Sequence, residues 1–340
     1  MTRIKAQSPY AQKAETIVCE LQRYFVEALE KLSRDIGEDR AFEAVEWFRE
    51  EGRFGGGVRF VAQDETLFNR GSVNVSQVQY EDDESRALSS ATALSTIIHP
   101  KNPHAPSIHM HISWTEMKDG KGYWRMMADL NPSISNEPDR QKFEETLKAS
   151  EPEFYAEAKA QGEQYFYIPA LERHRGVSHF YLENFTAEND AAMAKRLIEN
   201  VIDTYVGLIK DAISNNPEPS QQDYEEQLAY HTLYLFQVLT LDRGTTSGLL
   251  IHDQNDVGIM GSIPSRVNTQ LLASWKSRVD APQDLLIDAI LSCLDESGSV
   301  DDSEKECLAK VTREHYKKYP EALKMQASGF VSVPTVQNHK

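Results

Sequence analysis

Five stretches of alternating or β-branched residues, 58–62, 68–78, 91–99, 107–115 and 122–129, follow one another through the first half of the chain. Lys118-Asp119-Gly120-Lys121 joins the last two, and Asp-Gly readily supplies the positive φ of a tight hairpin. Strands linked in this way imply an antiparallel meander. Helical patterns flank it. Ile17, Val18, Leu21, Phe25, Ala28, Leu29 and Leu32 recur at helical spacing before Gly37, and a second helix is expected around Phe42, Val45 and Phe48. Further helices are expected over 139–160 with a break near Pro152, over 187–213 and after Pro219. Strands are expected at 233–241 and around 247–262, then a helical tail from 282 with an acidic linker, Asp295 to Glu306, in its middle. Helices before and after one antiparallel sheet read as a single α+β layered domain, residues 1–281, followed by a helical acidic extension, 282–340.

The fourth strand carries the chemistry. Ile108, Met110, Ile112 and Trp114 fall on one face; Ser107, His109, His111, Ser113 and Thr115 fall on the other. Polar alternation alone describes a solvated face, but such faces usually carry Lys, Glu and Thr rather than paired histidines. Ser95 and His99 share a face of the preceding strand, Arg125 and Asp129 share one of the next, and Asp242-Arg243 ends a mostly apolar stretch. Together they suggest a sheet face lined with Ser, His, Asp and Arg, which is a pocket. His109 and His111, with His99 or Asp129 as a third ligand, could also hold a divalent ion, although period-2 histidines occur equally as a hydrogen-bonding wall.

The balance of 36 Lys and Arg against 53 Asp and Glu, a net charge of −17, argues against bulk binding to nucleic acid or acidic membranes. A small anion stays compatible if a few arginines converge in one pocket. Cys19, Cys293 and Cys307 are an odd set without metal-ligand spacing, which suggests a reducing compartment and no disulfide framework. No apolar run approaches the roughly 18 residues of a membrane span, and no signal-peptide pattern opens the chain. A cytoplasmic address is the resulting expectation.

Seven segments occur in a telling order: Gly55-Gly56-Gly57-Val58, Gly71 to Ser76, IIHPKNPHAPSIHMH (97–111), ADLNP (128–132), YFYIP (165–169), Arg175-Gly176 and LDRGTTSGL (241–249). Over roughly residues 10–275 this series resembles the oxygen-dependent coproporphyrinogen III oxidases of haem biosynthesis. The resemblance implies a large flat antiparallel β-sheet sandwiched between layers of helices, a deep cleft and a homodimer. It implies oxidative decarboxylation of two propionates of coproporphyrinogen III to vinyls, with molecular oxygen as co-substrate and no other cofactor. The absence of a GxGxxG between a strand and a helix agrees with that. His109 occupies the family's proton-donor position, and Asp129 and Asp242 are candidate bases toward the pyrrole N–H groups. Arg243 and Arg125 are candidate anion clamps, and Ser95, His99, His111, Ser113 and Arg175 complete the substrate-binding set.

The chain also departs from the family. Where the family has Asn-x-Arg, this sequence has His111-Ile112-Ser113, so a propionate-binding arginine is missing. If odd-numbered residues of the two strands share a face, Arg125 lies near Ser113 and could restore the charge. Two family histidines align with Glu144 and Ala170, and a Gly-Gly-Arg substrate loop aligns with Asp253-Gln254-Asn255. Three readings follow: a cofactor-free oxidase, a metal-dependent oxygenase using His99, His109 and His111, and a porphyrin-binding protein without catalysis. Asp242–Arg243 could also be no more than a turn-capping pair.

Overall fold

The computed structural model describes residues 1–62, 65–186, 189–252 and 254–330. Strands β1 (Glu43–Phe48), β2 (Gly55–Ala62), β3 (Phe68–Gln79), β4 (Leu88–Pro100), β5 (Ser107–Met117) and β6 (Gly122–Asn131) pair in chain order. After a small hairpin of β7 (Tyr167–Ile168) and β8 (Arg173–His174), β9 (Ser178–Phe185) adds beside β6, completing a seven-stranded, wholly antiparallel sheet.

Because side chains alternate with period two, register sorts every residue between two faces. Arg59 opposes Asn74, Asn74 opposes Ser95, Ser95 opposes His111, and Ser113 opposes Arg125; one row along, Ile97 opposes His109, which opposes Asp129, which opposes His179. The other face of β5, β6 and β9 is apolar: Met110, Ile112, Met126, Ala128, Leu130 and Phe180 are fully buried. Two long helices cover it, α1 (Pro9–Asp35) and α4 (Asp190–Asn215), with α2 (Glu137–Ser150) and α3 (Tyr155–Tyr165) at its edge. Ser8 caps α1 by accepting from the Ala11 N–H at 3.0 Å, and Leu21, Phe25 and Leu29 carry its buried stripe. Burying each such side chain contributes roughly 1.5–3 kcal/mol.

A second helical layer holds the polar face. It comprises α5 (Gln221–Thr240), α6 (Arg243–Ile251), α7 (Asp256–Ile259), α8 (Thr269–Ser274), α9 (Gln283–Ser292) and α10 (Asp302–Lys318), around a core that includes Leu235, Leu239, Leu286, Ile290 and Leu308. The α+β expectation, a large antiparallel sheet between helical layers, is thus the observed architecture.

Several local expectations are corrected. The stretch around Phe42 and Phe48 is strand β1, pairing with β2, because tertiary pairing overrides its weak helical pattern. Residues 233–241 lie in helix α5, which is buried all round from Tyr230 to Thr240; an apolar run of that length does not separate strand from buried helix by periodicity. The signal that does is the capping box of Ser220 with Asp223 at its start. Residues 247–262 are helical over most of their length rather than strand. Cys293 and Cys307 form a disulfide between the end of α9 and α10, contrary to the expected absence of disulfides, because the two helices pack together and bring the cysteines face to face. No helix among the described residues is long and apolar enough to cross a membrane.

Candidate functional site

Between the polar sheet face and the second helical layer lies a cavity of about 320 Å³. Strands β3 to β6 supply its floor through Asn74, Ser95, His109, His111, Ser113 and Arg125; α5 and α6 supply its roof through Tyr234, Asp242, Gly244 and Thr245. Six of the ten residues singled out from the sequence are therefore cavity walls or adjoin them directly: Ser95, His109, His111, Ser113, Arg125 and Asp242. Ser113 and Arg125 are cross-strand partners, as the hairpin register required.

Three others form a layer behind the wall. Asp129 is fully buried, and its Oδ2 accepts from Arg175 Nη2 at 2.6 Å while its Oδ1 accepts from His179 Nδ1 at 2.6 Å. Burial alone would raise this carboxyl, but the charges and hydrogen bonds of His179 and Arg175 outweigh it and hold Asp129 well below the usual carboxylate range. Arg175 also donates to Gln237 Oε1 at 2.5 Å, Asn131 Oδ1 at 3.0 Å and His109 Nδ1 at 3.1 Å. The Arg175-Gly176 motif now has a reason: a Cβ on Gly176 would stand 2.3 Å from Asp129 Oδ1 and 2.6 Å from the Leu130 carbonyl oxygen, so only glycine lets the chain pass the pair. His99 is fully buried outside the cavity wall, its Nδ1 2.8 Å from Ser107 Oγ and its ring edge-on to Tyr234.

A guanidinium only donates, so His109 Nδ1 is an acceptor and the ring proton of the neutral imidazole sits on Nε2. Burial first, then the Arg175 charge, lower His109 to about 4. The wall therefore presents a neutral N–H donor. His111, with Nε2 3.0 Å from Ser113 Oγ, is pushed well below 6.5 by burial and by Arg125.

Asp242 is a helix cap that also stands at the cavity wall. Its Oδ2 caps α6, accepting from the Thr245 N–H at 3.0 Å, and its Oδ1 lies 3.5 Å from the Tyr165 hydroxyl at the cavity wall. It sits at a helix N-terminus rather than a strand end. Arg243, first in α6, lies behind the wall with Nη1 3.5 Å from Glu183 Oε2. Glu183 is buried, accepts from Tyr181 at 2.6 Å and pairs with Arg125 as well. Sequence reasoning missed Glu183, His179 and Tyr181 because it missed β9, although Ser178 to Glu183 alternates as cleanly as the histidine strand. It also missed Arg59, Tyr165 and Tyr234 on the cavity wall.

Among the described residues no three His, Cys, Asp or Glu side chains come together in a way that could hold a metal ion. His99 turns to Ser107 and His109 to Arg175, so the three-histidine alternative has no support in the geometry. Of the family's Gly-Gly-Arg position, Asp253 lies outside the described residues; Asn255 is at the cavity wall.

The fold and site define an α+β protein whose large antiparallel sheet floors a cavity roofed by helices. The chain belongs to the coproporphyrinogen III oxidase family, whose sequence model matches residues 13–293. It is 28% identical over 301 residues to the mitochondrial oxygen-dependent coproporphyrinogen-III oxidase of Rattus norvegicus, covering 80% of this chain and 64% of that protein. It is 28% identical over 293 residues to the oxygen-dependent coproporphyrinogen-III oxidase of Drosophila melanogaster, 78% of this chain and 73% of the relative. It is 27% identical over 279 residues to the chloroplastic coproporphyrinogen-III oxidase 1 of Arabidopsis thaliana, 73% of this chain and 70% of the relative. The match thus spans less than two thirds of the rat protein's length. The mitochondrial and chloroplastic addresses in these names overturn the cytoplasmic address expected from the sequence.

Proposed function

We propose that this chain catalyses the oxygen-dependent oxidative decarboxylation of coproporphyrinogen III to protoporphyrinogen IX. At each of two propionates the carboxylate leaves as carbon dioxide, the β-carbon gives up a hydride equivalent, and a vinyl group forms; oxygen takes the hydride equivalent with one proton and becomes hydrogen peroxide. Family membership sets the reaction class, and one observation in this chain carries the reading. His109 faces the cavity as a neutral imidazole whose Nδ1 is held by Arg175, itself fixed by Asp129.

In this reading the His109 Nε2–H is the proton donor and hydrogen-bonding group at the substrate. Asp242 Oδ1 is the base that draws on a pyrrole N–H, which makes the macrocycle electron-rich enough to reduce oxygen. Asp129 acts through Arg175 as a positioning residue rather than as a base, since both of its oxygens are already engaged. Ser95, His111 and Ser113 hydrogen-bond the macrocycle's periphery, and Arg125 with Arg243 sets a positive edge for a propionate. His99 supports the wall through Tyr234. Oxygen is the co-substrate, and residues 1–281 form the oxidase unit, with 282–340 as an extension. The assembly is a homodimer.

A second reading, a porphyrin-binding protein without turnover, is favoured by the tie between Arg125 and the buried Glu183, which takes up much of the charge offered in place of the arginine lacking at Ser113. An aerobic assay with freshly reduced coproporphyrinogen III separates the two. Vinyl product supports the oxidase; tight binding without product supports the second reading.

A further inference from the structure

Arg59 projects from β2 onto the polar sheet face, at the opposite side of the cavity floor from Arg125. Four strand spacings separate the two positions, roughly 19 Å between backbones. Arg59 is only 6% exposed, yet its buried Nε has no hydrogen-bond partner, and among the described residues no carboxylate forms an ion pair with it. The other cavity-wall arginine, Arg125, is paired to Glu183. The field of Asp302 reaches Arg59, but Asp302 is exposed and bonded to Lys305 at 2.9 Å.

Leaving a guanidinium buried without a counter-ion is expensive, and a carboxylate on a bound ligand would supply the missing charge. The backbone around it is shaped for the guanidinium. A Cβ on Gly258 would stand 2.0 Å from Arg59 Nη1, so that glycine clears the space its head occupies, and Gly261 lies alongside Nε. Ser72 is at the same wall, adding a hydroxyl beside the cation.

We propose that Arg59 binds a rim carboxylate of the tetracarboxylate macrocycle, gripping it across the floor from Arg125. The inference rests on the proposed substrate. A planar fork donating to both oxygens of a carboxylate suits a propionate better than a point charge would, and Arg59 and Arg125 at opposite edges fit a disc-shaped ligand with acidic arms on either side.

The test uses the full chain with Arg59→Gln and Arg59→Lys, with coproporphyrin III as a redox-inert probe of binding. Arg59→Gln weakens coproporphyrin III binding about 10- to 100-fold, with the loss of turnover falling on KM more than on kcat; Arg59→Lys lies between. The melting temperature of ligand-free Arg59→Gln is equal to or above that of the parent, because a buried unpaired charge has been removed without orphaning a partner. Unchanged binding in Arg59→Gln overturns the proposal. So does weakened binding accompanied by a melting temperature several degrees lower, which marks Arg59 as a structural residue. A parent protein that neither binds coproporphyrin III nor forms vinyl product sinks the functional reading itself, and that result is read on the unmutated chain alone.

Discussion

Arg175 Nη2 donates to Asp129 Oδ2 at 2.6 Å and to His109 Nδ1 at 3.1 Å, so one guanidinium nitrogen joins a fully buried carboxylate to a histidine at the cavity wall. The carboxylate fixes the arginine, and the arginine fixes the imidazole tautomer.

Asp129→Asn tests that chain. It leaves the Arg175 cation buried without its counter-charge, a change that costs about 3–5 kcal/mol when a buried pair is broken. It also strips His109 of a charge that raises its pKa, so His109 falls further below about 4. Turnover should drop about 100-fold, within the range for loss of a positioned proton-transfer group, while coproporphyrin III binding changes little. Wild-type kcat in Asp129→Asn would contradict the assignment.

Acid stability follows from the same burial. His109 is lowered to about 4, and His231 and His252 to about 3, in each case chiefly by burial. Between the ordinary 6.5 and those values the unfolded chain holds protons that the folded chain does not, so stability falls as pH drops through that window. Asp129 acts in the same direction but lower down: its depressed pKa gives stability that is present above 3.8 and lost only below it, outside that window. The melting temperature should fall steadily from pH 7 to pH 4. A flat profile would mean that these histidines are not held neutral.

Arg125 faces the cavity but is tied to Glu183, whose other partners are Tyr181 and Arg243. Arg125→Ala should raise KM strongly and destabilise the fold, since Glu183 loses its nearest cation. Adding Glu183→Gln should recover stability without recovering KM. Joint recovery of both would make Arg125 a purely structural partner of Glu183.

The sheet was the most legible part of the fold, because alternation from 107 to 115 and 122 to 129 admits one face assignment and Asp119-Gly120 sets the register. That register alone brought Ser113 beside Arg125 and His109 beside Asp129. The roof was misread because α5 is buried all round and carries no amphipathic stripe; its capping box was the available clue. Which residues stand at the wall and which stand behind it could not be read from alternation. Asp129 and His109 share a face, yet only His109 reaches the cavity, because Arg175 from the β8–β9 link fills the space over Asp129. Arg59 shares that face as well, and its oddity shows only once its lack of a partner is visible.

The C-terminal segment braces the roof. Arg313 in α10 donates to the Leu249 carbonyl at 2.7 Å and to Asp256 Oδ2 at 3.0 Å, holding α6 and α7, and the Cys293–Cys307 disulfide ties α10 to α9. Closing a loop of this size is worth ~3 kcal/mol in the chain-entropy account. Reduction, or Cys307→Ser, should lower the melting temperature by several degrees and raise KM. Equal melting temperatures with and without reductant would show that the bridge contributes nothing to the roof.

The central claim is most directly tested by an aerobic assay of chelator-treated protein with freshly reduced coproporphyrinogen III, reading protoporphyrin fluorescence after mild oxidation. The account expects dicarboxylic vinyl product, with one hydrogen peroxide formed per vinyl group. Bound substrate that gives no vinyl product, with or without added metal ions, would contradict it and leave a porphyrin-binding protein in its place.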